Sequence, residues 1–414
     1  MFMKFAIEVT GRKDEYILSV SMDSVRNINK NELSEIFFDP SILPAVAHAK
    51  VTIAGRAPLF IYMYLAIQLF ESKIKEIFVK SAQDEPVKVF PLNENTALVQ
   101  THLPVLTDLA DRVFCEIPCS RNDMIDVSEL TFIADSIPEP DRNKESIIFS
   151  GKIPVWLAAA LAIAARQKGW QKVECFAPRM GGSIGVFPLI SLGKNLPQLT
   201  EKGNIIGVIG DPNSGKSVFS KLLEKSGIVA GVNIWCYDCD YAAPTPNWYL
   251  DMLKKGDEAA GRDLRLSYKR KWIPGAEEEL VNELRNIQQF IQFVIADLPG
   301  GRHEPDFVQR IPIGREVLME AVDYFIIIAR DKENCDTGIA WLQELEKLNK
   351  DKNIVLTLYS ENPDGAISIS DRNGKIYISG LSRNADSVPE HIKIELWKRF
   401  ANAINGNPME IRTM

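Results

Sequence analysis

The chain is poor in cysteine, with six in 414 residues and no disulfide-like spacing. That excludes a small stapled secreted fold and suits a reducing compartment. Its four histidines, His48, His102, His303 and His391, are scattered without metal-ligand spacing. Positive charge is not in excess: 48 Lys+Arg stand against 55 Asp+Glu, a formal net charge of −7. Sequence-blind binding along a nucleic-acid backbone needs the opposite balance. Long hydrophobic runs are absent too. The longest, Pro58–Leu69 and Ile153–Ala165, fall short of the roughly 18 apolar residues a membrane helix requires. Lys4, Glu8, Arg12 and Lys13 interrupt the start of the chain, unlike a secretory leader. These absences predict a soluble, cytoplasmic protein with no membrane partner. What is present, 46% hydrophobic and 25% charged residues, is ordinary globular composition. The length allows roughly two to four domains.

The chain repeats itself once. In VTIAGRAPLFIYMYLAIQL and IIFSGKIPVWLAAALAIAA, Gly55 meets Gly151, Arg56 meets Lys152, Pro58 meets Pro154 and Phe60 meets Trp156. Val89-Phe90-Pro91-Leu92 recurs as Val186-Phe187-Pro188-Leu189. Such spacing is too long for a solenoid and predicts two tandem copies of a small α/β domain, residues 1–99 and 100–198. Each copy reads as a strand pair, around 5–20 and 111–117, then a short capped helix. A β-rich strand (51–54, 147–150) follows and turns through Gly-basic-x-Pro into an apolar helix. The helices, at 58–70 and 154–168, carry apolar residues on nearly every face and are expected to be buried between the copies.

Beyond residue 198 a third domain, 199–414, begins with an apolar strand, Asn204–Ile209. Gly210-Asp211-Pro212-Asn213-Ser214-Gly215-Lys216-Ser217 comes next, then the helical stretch Val218–Lys225. This is the GxxxxGK[ST] phosphate loop between a strand and a helix. Glycines let successive N–H groups surround a β-phosphate, and the helix aims its positive end there. Lys216 suits β/γ oxygens and the Ser217 hydroxyl suits Mg²⁺. Gly210 to Val218 are therefore the expected ATP contacts. Four more strands, Asn233–Tyr237, Ile291–Ala296, Tyr324–Ala329 and Asn353–Tyr359, complete a doubly wound, mostly parallel sheet. Asp297 ends one of them as a Walker B carboxylate for the metal shell. Asp297-Leu298-Pro299-Gly300-Gly301 also has the form of an Asp-x-x-Gly switch. Lys216 and Asp297 are the expected catalytic pair.

Asp238 and Asp240 end the second strand, where P-loop kinases place the carboxylate that takes an acceptor proton. A kinase acting on a nucleoside, nucleotide or RNA 5′-hydroxyl is thus the alternative reading. Arg262, Arg265, Lys269, Arg270 and Lys271 read better as a solvated helix than as a phosphate lid. Cys236-x-x-Cys239 has no second pair and fits a strand rather than a metal site. Asn373-Gly374, between β-like stretches at 366–370 and 375–379, predicts a type I′ hairpin. The last helix, 389–404, repeats Ile392, Leu396 and Phe400 as a core face.

The Gly55-Arg-Ala-Pro58 and Gly151-Lys-Ile-Pro154 turns, each opening an apolar helix, resemble the CRISPR-associated ring nucleases of the Csx-three type. Ala177-Pro178-Arg179-Met180-Gly181-Gly182 is similar to that family's Asp-Pro-Arg-x-Gly-Gly signature, and members occur fused to a C-terminal P-loop ATPase of the AAA type. The resemblance implies a type III CRISPR accessory protein in antiviral defence. Such a protein binds cyclic oligoadenylate, chiefly cyclic tetra-adenylate, and works as a homo-oligomer; RNA is a further candidate partner. It points to Arg56, Lys152, Arg179, Gly181 and Gly182 as ligand contacts. Ala177 stands where the family has Asp, and neither copy carries the family's His. Binding is therefore expected more firmly than ring opening.

Overall fold

A computed structural model describes residues 5–12, 15–22, 33, 36, 38, 49–55, 57–80, 85–92, 103–117, 125–151, 153–193, 196–241, 258–267, 272–304, 307–332, 335–381 and 388–405. The architecture is α/β throughout, divided into two units, Met1–Leu196 and Pro197–Met414.

The first unit holds two sheets. Strands β1 (Phe5–Arg12), β2 (Glu15–Met22), β3 (Lys50–Gly55), β4 (Glu76–Val79) and β5 (Val87–Phe90) lie side by side in that order, with helix α1 (Leu59–Glu71) between β3 and β4 in sequence. The second sheet contains β6 (Val105–Leu109), β7 (Arg112–Glu116), β8 (Ser146–Ser150), β9 (Lys172–Ala177), β10 (Gly182–Phe187) and the short β11 (Ser191–Leu192). Helices α2 (Leu130–Asp135) and α3 (Val155–Gln167) belong to this half. In each sheet a hairpin is followed by two parallel pairings and an antiparallel one. The second hairpin spans residues 105–116, so its first strand lies ahead of the expected 111–117; the short Ala110-Asp111 turn hid it.

Pro58 and Pro154 are the N-cap residues of α1 and α3, one position before the first helical turn. Missing amide protons cost nothing there. Residues 60–67 of α1 and 156–165 of α3 are all buried. The two helices pack against each other, and each touches strands of both sheets. An all-round apolar helix has no face to offer water, so burial on every side is its stable solution.

The second unit is one seven-stranded sheet. Its strands are β12 (Asn204–Ile209), β13 (Ile234–Asp238), β14 (Phe293–Asp297), β17 (Tyr324–Ala329), β20 (Ile354–Ser360), β21 (Ser368–Arg372) and β22 (Lys375–Ser379). They are ordered β13-β14-β12-β17-β20-β22-β21, parallel except for the β21–β22 hairpin. Small hairpins β15 (Arg302–Glu304) with β16 (Phe307–Gln309), and β18 (Asp331–Lys332) with β19 (Cys335–Asp336), stand apart from it. Asn373 and Gly374 both have positive φ, 51° and 73°, as a type I′ turn requires. Helices α4 (Lys216–Val229) and α9 (Glu390–Ile404) bury Phe219, Leu223, Leu396 and Phe400 on one face of the sheet. Helices α6 (Ala276–Gln288) and α8 (Thr337–Lys347) pack against β12, β14 and β17; α5 (Glu258–Ser267) and α7 (Glu316–Glu320) complete the set. Among the described residues no helix is long and apolar enough to cross a membrane.

Candidate functional site

Parallel strands deliver all their carboxyl ends to one edge of the sheet, where open α/β folds place ligands. Here that edge gathers the loop after β12, Asp238 after β13, Asp297 at the end of β14 and Arg330 after β17. Direct pairing of β14 with both β12 and β13 sets Asp297 level with Val208 and Asp238.

The loop needs its glycines. A Cβ on Gly210 would lie 2.3 Å from the Ile328 carbonyl, and one on Gly215, at φ 95°, would lie 2.9 Å from Leu381 Cβ. Asn213 also takes a left-handed conformation, φ 60°. Gly215 caps α4, and Phe219 N–H makes the first i−4 bond, to Gly215 O at 2.9 Å. The amides of residues 215–218 are the orphan donors of a helix start. Val218 turns its side chain to the core, so only its backbone faces the loop. Ser214 is buried, with its hydroxyl unpaired. Pro212 is exposed at the outside of the turn.

Lys216 is almost wholly buried, and burial holds its pKa below the ordinary lysine value, opposed by Asp297, Asp240 and Asp211. Its Nζ donates to the Asp211 carbonyl at 3.2 Å. Asp297 accepts a hydrogen bond from Ser217; burial first, and Asp238 second, raise its pKa, against Lys216 and Lys221. Asp238 Oδ1 accepts from the Asp240 amide at 2.9 Å. A glycine-lined turn of free amides, a lysine, and a Ser–Asp pair at its foot are a donor set that fits a Mg-polyphosphate.

Several partners here escaped sequence reasoning, though Gly300 did not, being marked by the Asp-x-x-Gly form. Lys221, one turn beyond Ser217, is half-buried and faces Asp238, Asp297, Glu224 and Cys236, with its pKa depressed by desolvation. Arg330 donates to the Asn213 carbonyl. Gly300 lies directly over the loop: its Cβ would be 2.9 Å from Lys216 Nζ and 3.0 Å from Pro212 N. The Asp211 carboxylate faces Arg310 (2.9 and 3.1 Å) and the Trp341 indole N–H (2.9 Å). His303 Nε2 is 3.0 Å from the Gly300 carbonyl and 3.8 Å from Asp211 Oδ1. Arg315 stacks on Trp272, Cζ 3.9 Å from the ring centroid, with its charge facing Asp240 and Glu277. The four-residue spacing of Lys221 from Ser217 was the available signal for it.

In the first unit, Pro178–Met180 form a single tight turn closed by Gly181 at φ 75°, whose N–H reaches Pro178 O at 2.9 Å. A Cβ on Gly182 would meet nothing within 4 Å, so open space stands over that strand start. Arg179 beside it is half-buried. Arg56 and Lys152 lie outside the described residues, as do Lys269, Arg270 and Lys271. Among the described residues no three His, Cys, Asp or Glu side chains cluster as metal ligands.

Residues 120–191 match the model of the family described as CRISPR-associated protein (Cas_csx3). The matched stretch contains α2, β8, α3, β9, the Arg179 turn and β10, and is well under half the chain. No curated protein matches. Among solved structures, the chain is similar to the septum site-determining protein MinD of Pyrococcus horikoshii OT3, complexed with Mg-ADP. That match has 10% identity and a TM-score of 0.31, over 51% of this chain and 100% of the other. A putative plasmid partition protein of Borrelia burgdorferi B31, bound to AMPPNP, is similar at 12% identity and TM-score 0.30, over 50% and 100%. Likeness at that level says nothing of this chain's ligand.

Proposed function

We propose that the chain is a type III CRISPR accessory protein joining a cyclic-oligoadenylate-binding module to an ATP-binding and ATP-hydrolysing domain. The module would be two copies, 1–99 and 100–198, and the ATPase 199–414. The observation that carries the ATP half is the convergence of Lys216, Ser217 and Asp297 on one loop of helix-start amides. Lys216 neutralises phosphate oxygens, the Ser217 hydroxyl is a metal ligand, and Asp297 orients that hydroxyl as acceptor. Bound there, Mg²⁺ would supply positive charge to offset that of the polyphosphate. The module half is supported by the match over 120–191 and by the open space above Gly182 beside Arg179. Gly181 supplies the left-handed turn that presents it. Cyclic tetra-adenylate is the expected ligand, a homo-oligomer the expected assembly, and the cytoplasm the expected compartment.

The test is to incubate the whole protein with cyclic tetra-adenylate, with and without ATP and Mg²⁺, and resolve both nucleotides chromatographically. An intact, bound ring with ligand-dependent ATP consumption, abolished in Lys216→Ala, is expected. Absence of ring binding removes the module reading; ATP consumption that survives Lys216→Ala removes the other.

A phosphotransferase is the second reading, favoured by the placement of Asp240 near Lys216 and of Asp238 near Lys221 and Asp297. Asp240 contributes directly to the field at Lys216, where an acceptor hydroxyl of a nucleoside, nucleotide or RNA end would approach. Nucleotide turnover unchanged by Asp238→Ala and by Asp240→Ala would end it.

A further inference from the structure

An arginine that leaves water ordinarily spends its N–H groups on acceptors, because each donor left unmade costs free energy. Arg315 does not. Its guanidinium is half-buried over Trp272, with Cζ 3.9 Å from the ring centroid. Among the described residues no carbonyl or carboxylate takes a hydrogen bond from it or closes an ion pair on it. Burial holds its pKa below the ordinary arginine value; Asp240 and Glu277 oppose that fall, and Arg302 of β15 adds to it. The ring that carries Arg315 is itself fixed from two directions. Its indole N–H donates to Glu277 Oε1 in the first turn of α6. Tyr241, 2% exposed, meets it edge-on with the centroids 5.7 Å apart. A cation–aromatic contact holds a guanidinium in place without consuming its N–H groups. The fork is therefore positioned and still available to an oxyanion.

Tyr241 directly follows Asp240, and Asp240 faces two cations, Lys216 on the phosphate loop and Arg315 on its aromatic support. We propose that Arg315 anchors a phosphate carried by the second substrate, so that the acceptor at Asp240 is a nucleotide or an RNA end and not a free nucleoside. Calling that substrate an acceptor rests on the phosphotransferase reading; the anion site itself stands on Arg315 and Trp272. A nucleoside offers a hydroxyl to Asp240 but nothing to the fork, whereas a nucleoside monophosphate offers both. Arg302 brings a second positive charge into the same field, which suits a phosphate monoester with its roughly two negative charges.

Calorimetry on the whole chain tests this with adenosine and adenosine 3′-monophosphate, each titrated in the presence of saturating Mg-ADP so that the phosphate loop is already filled. The monophosphate should bind roughly tenfold tighter than adenosine or better, and Arg315→Gln should remove most of that margin. Arg315→Lys keeps the charge but loses the fork, and should recover only part of it. Trp272→Leu takes away the support and must narrow the margin in the same way if Arg315→Gln fails to fold. Equal affinity for the two ligands in the wild type, or a margin that survives Arg315→Gln, overturns the anchor. Transfer of labelled γ-phosphate from ATP to either ligand is read separately. Monophosphate-selective binding without labelled product supports the anion site and ends the phosphotransferase reading. Labelled product formed from adenosine as readily as from its monophosphate overturns the anchor and leaves that reading intact.

Discussion

Replacing Gly300 by alanine adds one methyl group at the point where the segment after Asp297 meets the loop. That methyl would lie 2.9 Å from Lys216 Nζ, 3.0 Å from Pro212 N and 3.1 Å from Gly210 O. Gly300 is not among the glycines with positive φ, so alanine brings no backbone strain and the cost is steric. Overpacking costs about 1–3 kcal/mol. Two of the three contacts are backbone atoms needing only a few tenths of an ångström, which places the folding cost near the lower end. About 1 kcal/mol shifts the melting temperature of a unit this size by about 2–4 °C. The effect on ligand is larger, because Lys216 must give way and loses a charge-assisted contact worth about 1.5–3 kcal/mol. Triphosphate affinity should therefore fall roughly 10- to 100-fold. Titration of a fluorescent ATP analogue, paired with thermal melting, reads both. The neighbouring Gly301→Ala is the control: at φ 82°, with Gln309 O only 2.4 Å from its Cβ, it should cost stability first. Wild-type analogue affinity in Gly300→Ala, with the melt unmoved, would refute the close approach of Gly300 to the ligand side of Lys216.

Asp297 has a raised pKa in the folded chain, so the native state binds more protons than the unfolded one above the ordinary aspartate value. Stability should accordingly fall as pH rises through that window, and Asp297→Asn should remove this slope; parallel melting curves from acid to neutral pH in both proteins would contradict it. Arg179→Ala should weaken binding of cyclic tetra-adenylate without changing ATP affinity, as read by calorimetry with each nucleotide; equal ring affinity would take Arg179 out of the site. Trp341→Phe removes one donor to Asp211 and should cost about 1 kcal/mol, visible as a small drop in melting temperature, and an unchanged melt would deny the indole contact any weight.

Much of the second unit was legible because its rules are local. Asn204–Ile209 and Tyr324–Ala329 are unbroken apolar strands, and both were placed to the residue. The phosphate loop declares itself through glycine spacing, and Asn373-Gly374 through the turn it forces. Helix α4 runs on to Val229, past the expected Lys225, because Ser226 bonds back to Leu222 O and Gly227 packs on Ile234. Neither cue is visible in propensity alone. The partners of Asp211 were invisible for a different reason. Arg310 and Trp341 stand 99 and 130 positions away, and only the strand order of the sheet brings them to one carboxylate. Arg330 belongs to the same class: it is simply the residue at which β17 stops.

The pairing of α1 with α3 constrains how the first unit can change. Six alanines, Ala158, Ala159, Ala160, Ala162, Ala164 and Ala165, are buried along α3, and small side chains let a neighbouring backbone come close. The helix packed against it, α1, buries Phe60, Tyr62 and Tyr64, so one helix is rich in bulk and the other in small side chains. Divergence between the two halves is thereby coupled: enlarging an alanine on α3 demands a smaller partner elsewhere in the shared core. A fragment ending before residue 100 would lose α3 and leave bare the apolar side of α1 that packs on it, and would find another surface to cover it. Loops can drift independently, but these two helices have to change together.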